Sequence, residues 1–105
     1  MSRDLKPDKP IVVSAVASQH IDEVYTWYEE QQVGLGKRFL SGLTITFQRI
    51  QRTPAGYQII YDPHRRVIMS KFPYGVFYEE QEAQIVISAV LHTSRNPEDW
   101  QNLLQ

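Results

Sequence analysis

The chain contains no cysteine. Disulfides, thiolate metal sites and a cysteine nucleophile are therefore excluded. It has no apolar run of membrane-spanning length. Its opening, MSRDLKPDKP, mixes both charges with two prolines and has no apolar core, so it does not read as a secretory signal. Residues 1–10 are expected to be a flexible lead-in. No charge of one sign dominates: 11 Lys and Arg against 12 Asp and Glu leave a net charge of −1. A strongly basic chain would have pointed to nucleic acid, and this balance counts against that reading. The sequence holds no phosphate loop, no GxGxxG, no HExxH and no GxSxG. His20, His64 and His92 lack metal-ligand spacing. No metal, no cofactor and no membrane partner is expected.

What is present is 105 residues, 42% hydrophobic and 22% charged, enough for one small domain, expected over residues 11–105. IVVSAV (Ile11 to Val16) is β-branched and apolar, which predicts a first strand buried on both faces. Ser18 is placed to cap a helix running to about Gln32, with Asp22 and Glu23 early in it and Gly34 as its stop. Ile21, Val24, Trp27 and Tyr28 predict one core-facing side. A second helix over about residues 35–52 carries Phe39, Leu40, Leu43, Phe47 and Ile50 at helical spacing. Thr53-Pro54 ends it. The short link predicts an antiparallel helical hairpin.

The C-terminal half reads as strands. Tyr57 to Tyr61 predicts a short strand, Asp62-Pro63 a turn, and Arg65 to Phe72 a stronger strand with Val67, Met69 and Lys71 on one face. Gly75 to Glu80 and Gln84 to His92 predict a hairpin, with Glu79, Glu80 and Glu82 near its solvated tip. Ile85, Ile87, Ala89 and Leu91 are expected to share one face. Asn96 and Pro97 suit the cap and first position of a short last helix. The order β-α-α-β-β-β predicts an α+β domain: an N-terminal strand, a helical hairpin on a mostly antiparallel sheet of three to four strands, and a short C-terminal helix. The sheet face away from the helices would be partly open.

Chemistry concentrates in one polar set. Arg65 and Arg66 start one strand, and His92 and Arg95 end another. Were those strands antiparallel neighbours, the groups would meet at one end of the sheet. Such a set binds phosphate or an acidic partner. With Tyr61 or Tyr78 nearby it would also supply the base, acid and cations of RNA cleavage. The competing reading is structural: Arg66 pairs with Glu79 or Glu80, His92 is a satisfied strand-end histidine, and Arg95 ties down the tail.

Four stretches, WYEEQQVGLGKRFL, IQRTPAGY, HRRVIMSKFPYGVFYEE and IVISAVLHTSRNPEDW, occur in an order and spacing that resemble the RelE/ParE superfamily. These are toxins of type II toxin–antitoxin, or plasmid-stabilisation, systems of bacteria. The resemblance implies a small cytoplasmic, growth-inhibiting toxin held inactive by a cognate antitoxin, usually encoded beside it. It implies one of two activities. ParE-like members bind DNA gyrase, whereas RelE-like members are ribosome-dependent mRNA endonucleases, so whether the chain is an enzyme stays open. The wording around Phe72-Pro73-Tyr74 and Val90-Leu91-His92 resembles the ParE-like branch. If the chain is an RNase, the catalytic residues carried over are Arg66, His92 and Arg95. Gly75 stands where these families commonly have arginine, which argues against cleavage and leaves a non-toxic antitoxin-binding remnant as a third reading.

Overall fold

β-Branched runs and helical apolar stripes build two layers in this chain. The computed structural model describes residues 8–105. Strand β1 covers Ile11–Val13, helix α1 Ala15–Gln31 and helix α2 Leu35–Arg52. A single 3-10 turn at Pro54–Gly56 leads to β2, Ile59–Tyr61. Then come β3 (His64–Ile68), β4 (Tyr74–Glu80), β5 (Ile85–His92) and helix α3 (Pro97–Leu104). The strands form one five-stranded sheet in the order β1-β5-β4-β3-β2. β1 runs parallel to β5 and the other pairs are antiparallel. This is the expected α+β architecture. The sheet exceeds three to four strands because β1 joins it and Ile59–Tyr61 pairs as a strand of its own.

Most of the expected lead-in, residues 1–7, lies outside the described residues. Its end is fastened down. Lys9 Nζ reaches Glu80 at 2.9 Å and the Gln81 carbonyl at 2.7 Å, and the Ile85 N–H donates to the Pro10 carbonyl. Glu80 is thereby an anchoring residue, not a free carboxylate of the hairpin tip.

β1 is shorter than predicted and is an edge strand, not one buried on both faces: Val12 is 42% exposed and Val13 is 36% exposed. It stops because Ser14 opens the helix four residues before the expected cap at Ser18. The Ser14 Oγ accepts from the Ala17 N–H at 3.1 Å, while its own N–H donates to the Ile87 carbonyl. Asp22 and Glu23 consequently lie beyond the first turn, where the helix dipole no longer favours them.

The hairpin link is built around Gly34, which takes a left-handed φ of 92° that suits glycine. It caps the start of α2 instead of ending α1, whose C-cap is Gln32. Glycine has no side chain to cap with, so Glu29 supplies the acceptor. Its carboxylate takes the Gly34 N–H at 2.9 Å and the Gly36 N–H at 3.0 Å. Gly36 is buried here, and a Cβ on it would sit 2.9 Å from Glu29 Oε1 and the Tyr25 ring.

Ala17 and Val24 of α1 and Phe39, Leu43 and Ile50 of α2 pack on Val67, Met69, Val76, Tyr78, Ile85, Ile87 and Val90. Two expected core residues are outside it: Trp27 is 54% exposed and Leu40 37%. Trp27 lies about 100° around the helix from Tyr28, at the flank of the buried stripe. Thr46 is buried among these residues and satisfies its hydroxyl on the Gly42 carbonyl at 2.9 Å.

β3 ends at Ile68, short of Phe72, so Lys71 stands past the strand and is exposed. In β5 the predicted alternation breaks. Phe77 pairs with Ala89 but Tyr78 pairs with Ile87, so Ser88 is an extra residue in a bulge. Ile85 and Ile87 therefore face the helices, whereas Ala89 and Leu91 face the opposite side. There they form a second core with Phe77 and Trp100, through which α3 covers part of that face. Asn96 caps α3 through the Asp99 N–H, with Pro97 at the first position as expected.

Candidate functional site

The topology decides which polar groups meet. β3 and β5 are not neighbours; β4 lies between them. Arg66 pairs with Phe77, whereas His92 pairs with Tyr74. Those rows are a three-residue step apart on β4, roughly 10 Å along the strand, and two strand spacings add roughly 10 Å across it. The faces differ too. Arg66 shares the α3 side with Phe77, its guanidinium 5.8 Å from that ring centre. Tyr74 packs in the core beneath the helical hairpin, with its ring edge-on to His92 at 5.2 Å. The expected meeting of Arg65 and Arg66 with His92 and Arg95 does not occur.

Each half has its own chemistry. Arg65 donates to the Tyr57 carbonyl at 2.6 Å and locks the approach to β2. Arg66 makes no ion pair with Glu79 or Glu80; its stem lies over Gly75, where a Cβ would meet Arg66 Cδ at 3.0 Å. The glycine thus leaves room for Arg66 to lie flat on the sheet. His64, on the same face, contacts Ser88 Oγ through Nδ1 at 3.1 Å, using the bulge residue.

At the far end of β5, Ser94 folds back on His92. Its N–H donates to the His92 Nδ1 at 3.0 Å, which leaves Nε2 as the protonated nitrogen of a neutral ring. In that form His92 donates a hydrogen bond outward and does not accept a proton there. Arg95 reaches Asp99 at 3.4 Å, a half-exposed pair at i,i+4 that ties the tail to α3. At that exposure the pair is worth about 0–1 kcal/mol.

Two residues join this end that sequence alone did not single out. His20 of α1 accepts from the Val90 N–H through Nδ1 at 3.2 Å. Burial lowers its pKa; the nearby Glu23 carboxylate opposes that shift and the Arg95 guanidinium adds to it. Tyr74 is the tyrosine beside His92, and burial raises its pKa. The tyrosines expected near the cluster are elsewhere. Tyr61 packs edge-on against Trp100, and Tyr78 is fully buried with its hydroxyl on the Pro54 carbonyl. No sequence signal marked Tyr74 or His20, because their proximity depends on the β4–β5 register and on α1 crossing β5. Among the described residues no group of three or more His, Asp or Glu is arranged to hold a metal ion, and no helix is long and apolar enough to cross a membrane.

A second feature is a groove of about 540 Å³ between α2 and the segment after β3. Leu35, Ile45, Met69 and Phe72 give it apolar walls, with Arg38 and Lys71 also lining it. The outer edge of β3 is uncovered beside it. Pairing with β2 ends where Arg66 donates to the Gln58 carbonyl, and the next outward N–H, on Ile68, has no hydrogen-bond partner among the described residues. Ile45, on the groove wall, is 56% exposed, and the Ile68 side chain is 44% exposed on the sheet face it shares with Arg66.

Comparison with known proteins agrees with this geometry. A solved structure described as the chromosomal ParDE TA system from P. aeruginosa superposes with a TM-score of 0.71 at 12% identity, covering 80% of this chain and 95% of that one. That likeness establishes the fold. No curated protein matches the sequence. The family model for the ParE toxin of the type II toxin-antitoxin system, parDE, matches residues 11–97, from β1 to the start of α3. The chain belongs to the ParE toxin family of type II toxin–antitoxin systems.

Proposed function

We propose that this toxin acts in the bacterial cytoplasm by binding its target, DNA gyrase, rather than by cutting mRNA. We further propose that a cognate antitoxin encoded beside it neutralises it. The observation that carries the binding reading is the separation of Arg66 from His92 and Arg95 by β4 and by the thickness of the sheet. Cleavage of RNA at a 2′-OH needs base, acid and cation around one phosphate. Here His92 presents a donor nitrogen with Arg95 nearby, and Arg66 lies on the other face, which suits attachment to acidic surface. The antitoxin is assigned to the α2 groove and the uncovered β3 edge, where an extended acidic and apolar segment gains main-chain bonds and burial together.

The test is induction of the chain alone and with the neighbouring gene, followed by two readouts on the purified protein and the cells. Growth arrest relieved by the neighbouring gene, inhibited DNA supercoiling by gyrase, and intact messages in primer extension are expected. Cuts within translated messages that disappear in Arg95→Ala would make it an mRNA endonuclease and refute the binding reading. A tight complex with the neighbouring product but no growth defect would identify a non-toxic remnant.

A further inference from the structure

The two helices of the hairpin carry opposite charge. α1 contains Asp22, Glu23, Glu29 and Glu30 and no lysine or arginine. α2 contains Lys37, Arg38, Arg49 and Arg52 and no acid. These charges do not neutralise one another. Among the described residues the ion pairs are Lys9–Glu80 and Arg95–Asp99, and neither lies between the helices. Glu29 is turned inward onto the start of α2. The other three carboxylates surround Trp27, which with them and Thr26 lines a shallow hollow of about 370 Å³.

Trp27 contributes nothing to either core. It is more than half exposed, yet its ring is braced edge-on against Tyr28 at 5.2 Å. A rigid, exposed indole is the side chain that most strongly anchors protein contacts and the best face for a cation. An apolar partner laid over it would strip water from Asp22, Glu23 and Glu30 without pairing them, which is unfavourable. A partner bearing guanidinium groups stacks on the indole and pairs the carboxylates in one step. The α2 groove, lined by Arg38 and Lys71, selects the opposite sign.

We propose that the Trp27 face of α1 docks an arginine-bearing segment of a partner protein, at a surface separate from the α2 groove. One guanidinium stacks on the Trp27 ring while neighbouring arginines pair with Glu23 and Glu30. A second copy of the chain presenting its own α1 is disfavoured, because like charges would meet. No segment of one sign satisfies both surfaces, so the two are occupied independently.

Calorimetric titration of the full chain tests this with a short peptide of alternating arginine and leucine and with its glutamate counterpart. The arginine peptide is expected to bind, more weakly as salt rises, and the glutamate peptide to leave the Trp27 face empty. Trp27→Ala is expected to weaken the arginine peptide about tenfold. The pair Glu23→Gln and Glu30→Gln is expected to do the same with the indole in place. Both changes are at exposed positions, and circular dichroism checks that the helices are intact. Equal affinity for wild type and Trp27→Ala would reduce the effect to bulk charge and overturn the proposal. So would no binding at all, or unchanged affinity in the double glutamine variant. Sedimentation showing that the wild-type chain self-associates and Trp27→Ala does not would overturn it in favour of a second copy.

Discussion

Replacing Tyr78 with phenylalanine should destabilise the protein at neutral pH and stabilise it in strong alkali. Tyr78 is fully buried in the core, and its hydroxyl donates to the Pro54 carbonyl, tying the turn after α2 to the sheet. Losing that bond costs about 1 kcal/mol at pH 8. Burial pushes the phenol up to about 12 from an ordinary 10, with the nearby Arg65 charge acting the other way. The folded state thus holds the proton more tightly than the unfolded chain does. Stability from this group is fully present below pH 10 and is lost as pH rises through the folded value. A shift of about two units is worth on the order of 3 kcal/mol, lost progressively as pH rises from about 10 through the folded value. The phenylalanine variant has no such loss, and the two stabilities should cross between about pH 10.5 and 11. Tyr28 and Tyr74, also raised by burial, titrate in both proteins and drop out of the difference. Chemical denaturation of both proteins from pH 8 to 12 provides the measurement. A difference that stays constant across that range would refute the assignment of a buried, proton-holding Tyr78.

The remaining predictions concern the helices. Ser14→Ala should cost about 1 kcal/mol in denaturation midpoint experiments through loss of the α1 cap, whereas Ser18→Ala at an exposed helical position should change stability by less than about 0.5 kcal/mol. Gly36→Ala should cost about 1–3 kcal/mol, since the new Cβ meets both the Tyr25 ring and the Glu29 carboxylate that caps α2. Burial lowers the His20 pKa in the fold, so the stability it contributes is present above its ordinary pKa and lost as pH falls through the lowered folded value. The stability gap between wild type and His20→Gln should narrow from pH 7.5 to pH 5, and a gap independent of pH would show that His20 does not titrate with folding.

Local chemistry was legible in the sequence wherever one residue type decides the geometry. Asn96 and Pro97 mark the start of α3, Thr53-Pro54 the end of α2, and the β4–β5 hairpin follows from its two apolar runs. A pattern with more than one continuation left the geometry open. A serine capped α1 as expected, but it was Ser14, because three rungs of pairing with β5 exhaust β1. Trp27 sat within a plausible apolar spacing, yet its angle around the helix puts it at the edge of the buried stripe. The side reversal in β5 is invisible to a period of two, since the bulge at Ser88 changes the count without changing the composition. For the polar set the limit was topological. Arg66, His92 and Arg95 were the right kinds of residue for an anion site, but strand order, which is non-local, puts β4 between them.

That same strand order has a consequence for how the molecule comes into being. β1 has one strand partner, β5, and Ile11 must meet Ile85, 74 positions further along the chain. The helical hairpin can form once Arg52 has left the ribosome, but the sheet cannot close until β5 has been synthesised. Contacts of such long sequence separation carry a large loop-closure cost and slow the final step. A nascent chain therefore exposes its apolar sheet residues until β5 has been synthesised, and the closed sheet, with every surface described above in place, exists only once that strand has joined it.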